Sequence, residues 1–191
     1  MAKENKSIYA ILGCLGKREW MTGYDIKQIM QKMSAMYWAE NNAQIYPLLK
    51  KLLIEKMVEL KEDSQGPRKK LLYKITPKGM NHLMKWLVKP PQELAKHKDE
   101  YLLKFSLGQF LDQNELQNHI ENLLVKVKVK KNILIDGEQR IRKEHEGRKD
   151  CLYISSIYEY GILLSEAKVK WCESILKKIK NGDFQTNENL K

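Results

Sequence analysis

Residues 44–52, Gln-Ile-Tyr-Pro-Leu-Leu-Lys-Lys-Leu, have the apolar spacing of a helix and yet carry a proline at the fourth position. Proline has no amide hydrogen and clashes with the preceding turn, so it costs about 3 kcal/mol or more inside a helix but little in the first turn. The segment must therefore start a helix near residue 44, and Asn41 or Asn42 can cap it through a side-chain oxygen. At about 100° per residue, Ile45, Leu48, Leu49 and Leu52 fall on one side and Gln44, Tyr46, Pro47, Lys50 and Lys51 on the other.

Two helices are predicted before it. From Ser7, the residues Ile8, Ile11, Leu12 and Leu15 form one apolar stripe, and Gly16 ends it. Thr22-Gly23-Tyr24-Asp25 has the form of a capping box, and the helix that it opens buries Ile26, Ile29, Met30 and Met33. After the third helix, residues 57–63 and 69–75 are two strand-like runs separated by Ser-Gln-Gly-Pro-Arg. They predict a hairpin with Arg68, Lys69 and Lys70 at or near its tip. Thr76-Pro77 restarts a helix with the apolar stripe Leu83, Trp86 and Leu87, and Pro90-Pro91 stops it.

Three helices followed by a basic hairpin is the order of a winged helix-turn-helix, in which the third helix enters the major groove of DNA. The outward side of that helix fits the role. An amide can pair with a base edge, an aromatic can touch a sugar or a methyl group, and two cations can meet phosphates. Charge points the same way: residues 1–92 hold 17 Lys and Arg against 8 Asp and Glu, and residues 93–191 hold 18 against 16. Nearly all of the +11 thus lies in the first half, as for a polyanion-binding domain joined to a segment with another task. A helical module whose basic face binds RNA or an acidic protein is the competing class, although no strand platform of stacking aromatics is visible for RNA.

The second half predicts three helices, near 97–110, 113–144 and 149–180. Val-Lys-Val-Lys-Val-Lys-Lys at 125–131 alternates like a strand, but Leu116, Ile120, Leu123, Val127, Leu134 and Ile141 keep the helical spacing across it. In the last helix Ile157, Tyr160, Leu164, Ala167, Trp171 and Ile175 form a comparable seam. Two long helices offer more apolar surface than one short helix can cover, so a homodimer is expected, with Ile157, Tyr160, Leu164, Trp171 and Ile175 at its interface. The expected organisation is mainly α, with an α+β DNA-binding domain over 1–91, a helical dimerisation domain over 92–181 and a disordered tail over 182–191.

The residues also resemble a known family. Tyr9–Met33, followed by Tyr37–Leu52 with its Gln-Ile-Tyr-Pro-x-Leu, is similar to the PadR family of bacterial transcriptional regulators. The likeness continues through Tyr-Lys-Ile-Thr-Pro-Lys-Gly at 73–79 and into Lys98–Phe105 and Lys168–Leu176, so it spans essentially the whole chain. It implies a dimeric winged-helix repressor on a roughly palindromic operator, released in some members by a small aromatic effector such as a phenolic acid; similar members activate virulence genes. It also places Gly23, Tyr24, Gln44, Tyr46, Pro47 and Lys50 in the helix-turn-helix and Arg68, Lys69 and Lys70 in the wing; Lys27, Asn42 and Lys51 complete the expected DNA-binding set. Three positions depart from the pattern. Lys56 stands where glycine ends the recognition helix, so a different helix end is expected; Leu71 replaces a basic wing residue; and Asn42 replaces a histidine of phenolate-responsive members.

Other chemistry finds little support. Cys14, Cys151 and Cys172 are far apart, without metal or disulfide spacing, and His82, His97, His119 and His145 are scattered. No phosphate loop and no nucleophile motif is present, so neither catalysis nor a cofactor is expected. No apolar run reaches the roughly 18 residues of a membrane span, which predicts a cytoplasmic protein. Tyr37, Trp38, Tyr153 and Tyr158 are the candidates for an aromatic effector pocket, set against their use as plain core.

Overall fold

The computed structural model describes residues 5–38, 42–63, 69–92 and 98–184. The chain forms two compact units, Met1–Leu94 and Ala95–Lys191.

In the first unit, α1 (Ser7–Leu15) is followed by β1 (Met21–Thr22), α2 (Gly23–Met36), a 3-10 turn (Asn42–Gln44), α3 (Ile45–Ile54), β2 (Val58–Asp63), β3 (Lys70–Ile75) and α4 (Pro77–Leu87). The apolar stripes converge on one core: Ile11, Leu12 and Leu15 from α1, Ile26 and Met30 from α2, Ile45, Leu49 and Leu52 from α3, and Leu83 from α4. Each such side chain contributes about 1.5–3 kcal/mol by leaving water. Val58 and Tyr73 seal the core from the sheet side.

The sheet is antiparallel, in the order β1-β3-β2. The hairpin runs in the expected register, from Val58 opposite Ile75 to Asp63 opposite Lys70. Its third strand was not expected: Met21 pairs with Tyr73 and Thr22 with Leu72. A strand of two residues is too short for alternation to show.

The two ends of α3 bear differently on the sequence reading. The N-cap position is Gln44, which makes no side-chain cap hydrogen bond; the helix is entered through the 3-10 turn, and Gln44 already has helical φ and ψ. Asn41 and the side chain of Asn42 lie outside the described residues. Pro47 is the third residue of α3, where its missing amide has no partner within the helix to lose. At the other end α3 stops in the ordinary way, despite Lys56. The amide of Lys56 donates to Leu53 O at 3.0 Å and that of Met57 to Leu52 O at 2.9 Å, a Schellman turn. Lys56 takes the left-handed conformation itself, with φ +56°, at a cost of about 1–2 kcal/mol. α4 starts as expected, with the Thr76 hydroxyl accepting from the Gly79 amide at 3.1 Å.

The second unit contains α5 (Glu100–Ser106), a 3-10 turn (Gly108–Phe110), and two long antiparallel helices, α6 (Gln113–Glu144) and α7 (Cys151–Lys180). Residues 125–131 are helical, so the longer period holds over the local alternation. An Asp112–Glu115 capping box opens α6. Leu116, Ile120, Leu123 and Val127 pack against Cys172, Ile175 and Ile179 at one end of the hairpin, with Phe105 and Trp171 beside them. Nearer the other end, the ring of Tyr158 lies against Gly137 and Leu134 against Gly161, and the glycines let the helices approach. Phe184, within the stretch expected to be a disordered tail, packs edge-on against Phe105, with ring centres 5.8 Å apart. Residues 185–191 of that tail lie outside the described residues.

Candidate nucleic-acid interface

The start of α2 sets the first part of the surface. Asp25 Oδ2 accepts from the Thr22 amide at 3.0 Å and Thr22 Oγ1 from the Asp25 amide at 3.1 Å, so the predicted capping box is complete. Tyr24 is thereby fixed in the first turn and is 62% exposed. Gly23 has a steric reason: a Cβ there would stand 2.7 Å from Cε1 of Tyr46. The Tyr46 ring, projecting from the first turn of α3, thus lies against the first turn of α2. Lys70, Leu71 and Tyr73 of β3 complete one open hollow with Thr22–Asp25 and Tyr46. Tyr73 is buried at its base, and desolvation, with Tyr46 as the second cause, pushes its phenol above the ordinary value. Helix-turn-helix and wing therefore meet in one surface.

The cations around this hollow differ in freedom. Lys50 is exposed and makes no ion pair among the described residues. Lys51 lies 3.8 Å from Glu55, and Lys69 lies 3.5 Å from Glu62; such exposed pairs are worth about 0–1 kcal/mol and yield readily to a phosphate. Lys70 is exposed opposite Asp63, and Lys27 is half-buried on α2. Gln44 and Pro47 are exposed at the start of α3. Arg68, with the rest of the wing tip at 64–68, lies outside the described residues.

One cluster escaped the sequence reading. Lys61 Nζ sits 4.2 Å above the Trp20 ring, Lys74 Nζ is 5.5 Å from the same ring, and Lys74 also meets Glu19 at 3.3 Å. The only signal for it would have been β1, since pairing Met21 with Tyr73 is what carries Trp20 to Lys74.

The aromatic candidates have distinct places. In the first unit, Trp38 packs on the core and donates from Nε1 to Ser7 Oγ at 3.3 Å, whereas Tyr37 is half exposed. Burial, and then Cys14, raise the Tyr37 phenol above its ordinary value. In the second unit, Tyr158 is engaged with Gly137, and Tyr153 is 77% exposed. Of the residues expected at a dimer interface, Tyr160 and Leu164 are exposed, and Ile157 and Trp171 are half-buried. Ile175 departs from the expectation: it is buried against α6 in the chain's own core and leaves no surface for a second copy.

No cluster of metal-ligating side chains occurs among the described residues, and no helix there is long and apolar enough to cross a membrane. Burial pushes the Cys14 thiol up to about 11, so it is held as the unreactive neutral form.

Comparison with known proteins agrees with this geometry. Residues 11–85 match the Transcriptional regulator PadR-like family, and residues 97–180 match the Virulence activator alpha C-term family. The Negative transcriptional regulator PadR of Bacillus subtilis (strain 168) is 30% identical over 178 residues, which are 90% of this chain and 96% of that protein. The crystal structure of Bacillus subtilis PadR in complex with operator DNA superposes with a TM-score of 0.83 at 28% identity, covering 92% of this chain and 99% of that one. The same protein in complex with p-coumaric acid gives a TM-score of 0.77, also at 28% identity and with the same coverage. Capped helix-turn-helix, wing and long helical second unit, matched over nine-tenths of the sequence, establish that the chain belongs to the PadR-like family of transcriptional regulators.

Proposed function

We propose that this regulator acts as a repressor: a homodimer that holds a roughly palindromic operator and leaves it on binding a small aromatic compound. The observation that carries the DNA part is the single hollow that gathers Tyr24, Tyr46 and Lys70 from α2, α3 and β3, with Gln44, Pro47, Lys50 and Lys51 exposed on α3. Lys27, Asn42, Arg68 and Lys69 complete the proposed DNA-binding set. The relative solved on operator DNA and named a negative regulator supports the direction of control, and the same relative's complex with p-coumaric acid supports an aromatic effector. Of the aromatic candidates Tyr37, Trp38, Tyr153 and Tyr158, Tyr37 in the first unit and Tyr153 in the second are the more exposed and so the more accessible to such a compound. Action on chromosomal DNA assigns the protein to the cytoplasm.

In this reading, residues 1–91 bind DNA and 92–181 make the dimer. Two recognition helices would then stand about one helical turn of DNA apart, roughly 34 Å. A ligand that changes the angle between the C-terminal helices misaligns them and weakens binding. Gel-shift competition of a labelled duplex from the gene's own upstream region against unlabelled duplex and against RNA tests the reading. Duplex is expected to compete and RNA to fail; equal competition by RNA overturns it. The match of residues 97–180 to a virulence-activator segment favours one second reading, activation from the same DNA-bound dimer. A reporter behind that upstream region separates the two, since deleting the regulator raises output for a repressor and lowers it for an activator.

A further inference from the structure

The far end of α3 is held from outside the helix. The carbonyls of Leu52 and Leu53 are satisfied within the Schellman turn. Beyond them, three successive carbonyls are met by residues that open α4. Glu55 O accepts from Lys78 Nζ at 2.8 Å, Lys56 O from the Thr76 hydroxyl at 2.9 Å, and Met57 O from the Thr76 amide at 3.1 Å. The Thr76 oxygen is shared, because it also caps α4. Gly79 seals the joint: it is buried, and a side chain there would collide with the Met57 carbonyl.

Lys78 is the unusual member. An exposed lysine ordinarily stays in water or meets a carboxylate, yet this one reaches back 23 positions in sequence to a main-chain oxygen. That oxygen sits at the negative end of the α3 dipole, where an ammonium is favoured and its hydrogen bond is charge-assisted. α3 is therefore fixed at two points, by Tyr46 against Gly23 at its start and by Thr76 and Lys78 at its end. A rod held at both ends cannot tilt.

We infer that Lys78 and Thr76 are positioning residues for DNA recognition, joining α4 to the recognition helix so that its angle is held fixed. The inference rests on the reading of α3 as that helix. The test uses the full-length protein and two duplexes, one selected by the wild-type protein from a randomised pool and one scrambled. Lys78→Met is expected to weaken the selected duplex about fivefold or more, the scale of one misaligned base contact. Affinity for the scrambled duplex, the salt slope and the melting temperature are expected to stay unchanged, and Lys78→Arg is expected to restore binding. Unchanged affinity for the selected duplex overturns the inference. So does equal weakening of both duplexes with a salt slope shallower by about 0.9, which makes Lys78 a phosphate contact instead. If the wild-type protein selects no sequence from the pool, the recognition role of α3 fails first.

Discussion

The two units handle apolar surface in opposite ways. The first wraps the stripes of four helices around one core and turns lysines outward; its open apolar side chains are spread over Ile54 on α3, Leu60 and Leu71 on the hairpin, and Met84, Leu87 and Val88 at the end of α4. The second is a two-helix hairpin whose main core lies at one end. It leaves Val125, Val129 and Ile133 exposed along α6, and Tyr160, Leu163 and Leu164 along α7. A hairpin has no third layer to cover its outer stripes, so its surplus surface must meet something else. Self-sufficiency in one unit and incompleteness in the other fit the proposed division into a DNA reader and a dimerisation arm.

Substitutions can break that comparison. Leu49, 1% exposed, is a load on the first core, and Leu49→Ala should cost about 2–5 kcal/mol in urea unfolding. A cost near zero would mean that the core of the first unit is not closed. Leu164→Glu should instead leave the secondary structure intact and dissociate the dimer, because an interface cannot bury an unpaired carboxylate cheaply. Sedimentation velocity should then give one chain's mass, and an unchanged mass would remove this face from the interface. On the reading side, Lys50→Gln should lower the slope of log K against log salt by about 0.9, as for one lost phosphate contact; a slope like the wild type's would take Lys50 off the DNA.

Smaller effects sharpen the contrast. Lys56→Gly relieves a left-handed residue and should stabilise the first unit by about 1 kcal/mol in thermal melts, without touching the second. Asp99 has a matching place in the second unit. The 2.7 Å hydrogen bond from Lys168 holds its carboxylate below the ordinary value, helped by the amides of Leu102 and Tyr101. A depressed folded-state value means that Asp99 stabilises fully above 3.8, its ordinary value, and loses this as pH falls through the lower one. Acid unfolding of Asp99→Asn should therefore show a shallower loss over that range, and an identical curve would discount the Lys168–Asp99 pair.

Much of this was written in local chemistry. Thr22 with Asp25, and Thr76 before Pro77, announce their helices because a cap is a property of four adjacent residues. The outward side of α3 was legible for the same reason, since a ten-residue amphipathic helix carries its own orientation. What stayed hidden depends on distant partners. β1 exists only because Tyr73 and Leu72 are there to pair with it, and Gly23 is explained only by the Tyr46 ring. The seam of α7 shows the same limit: one period places Tyr160 and Ile175 together, yet the hairpin buries the second and leaves the first open. Lys56 shows that a preference worth about 1 kcal/mol yields when surrounding bonds over-determine the turn.

Thr22 belongs at once to the sheet and to the cap of α2: it pairs with Leu72 of the wing while its hydroxyl and amide hold Asp25. The base of the wing and the aim of the helices are thus one inheritance, and a substitution at Leu72 is felt at both. Lys69 and Lys70, at the described end of the hairpin, carry no such obligation. They hold no cap and bury no core, so sequence preference can drift there at almost no cost to the fold, while the frame that presents it stays unaltered.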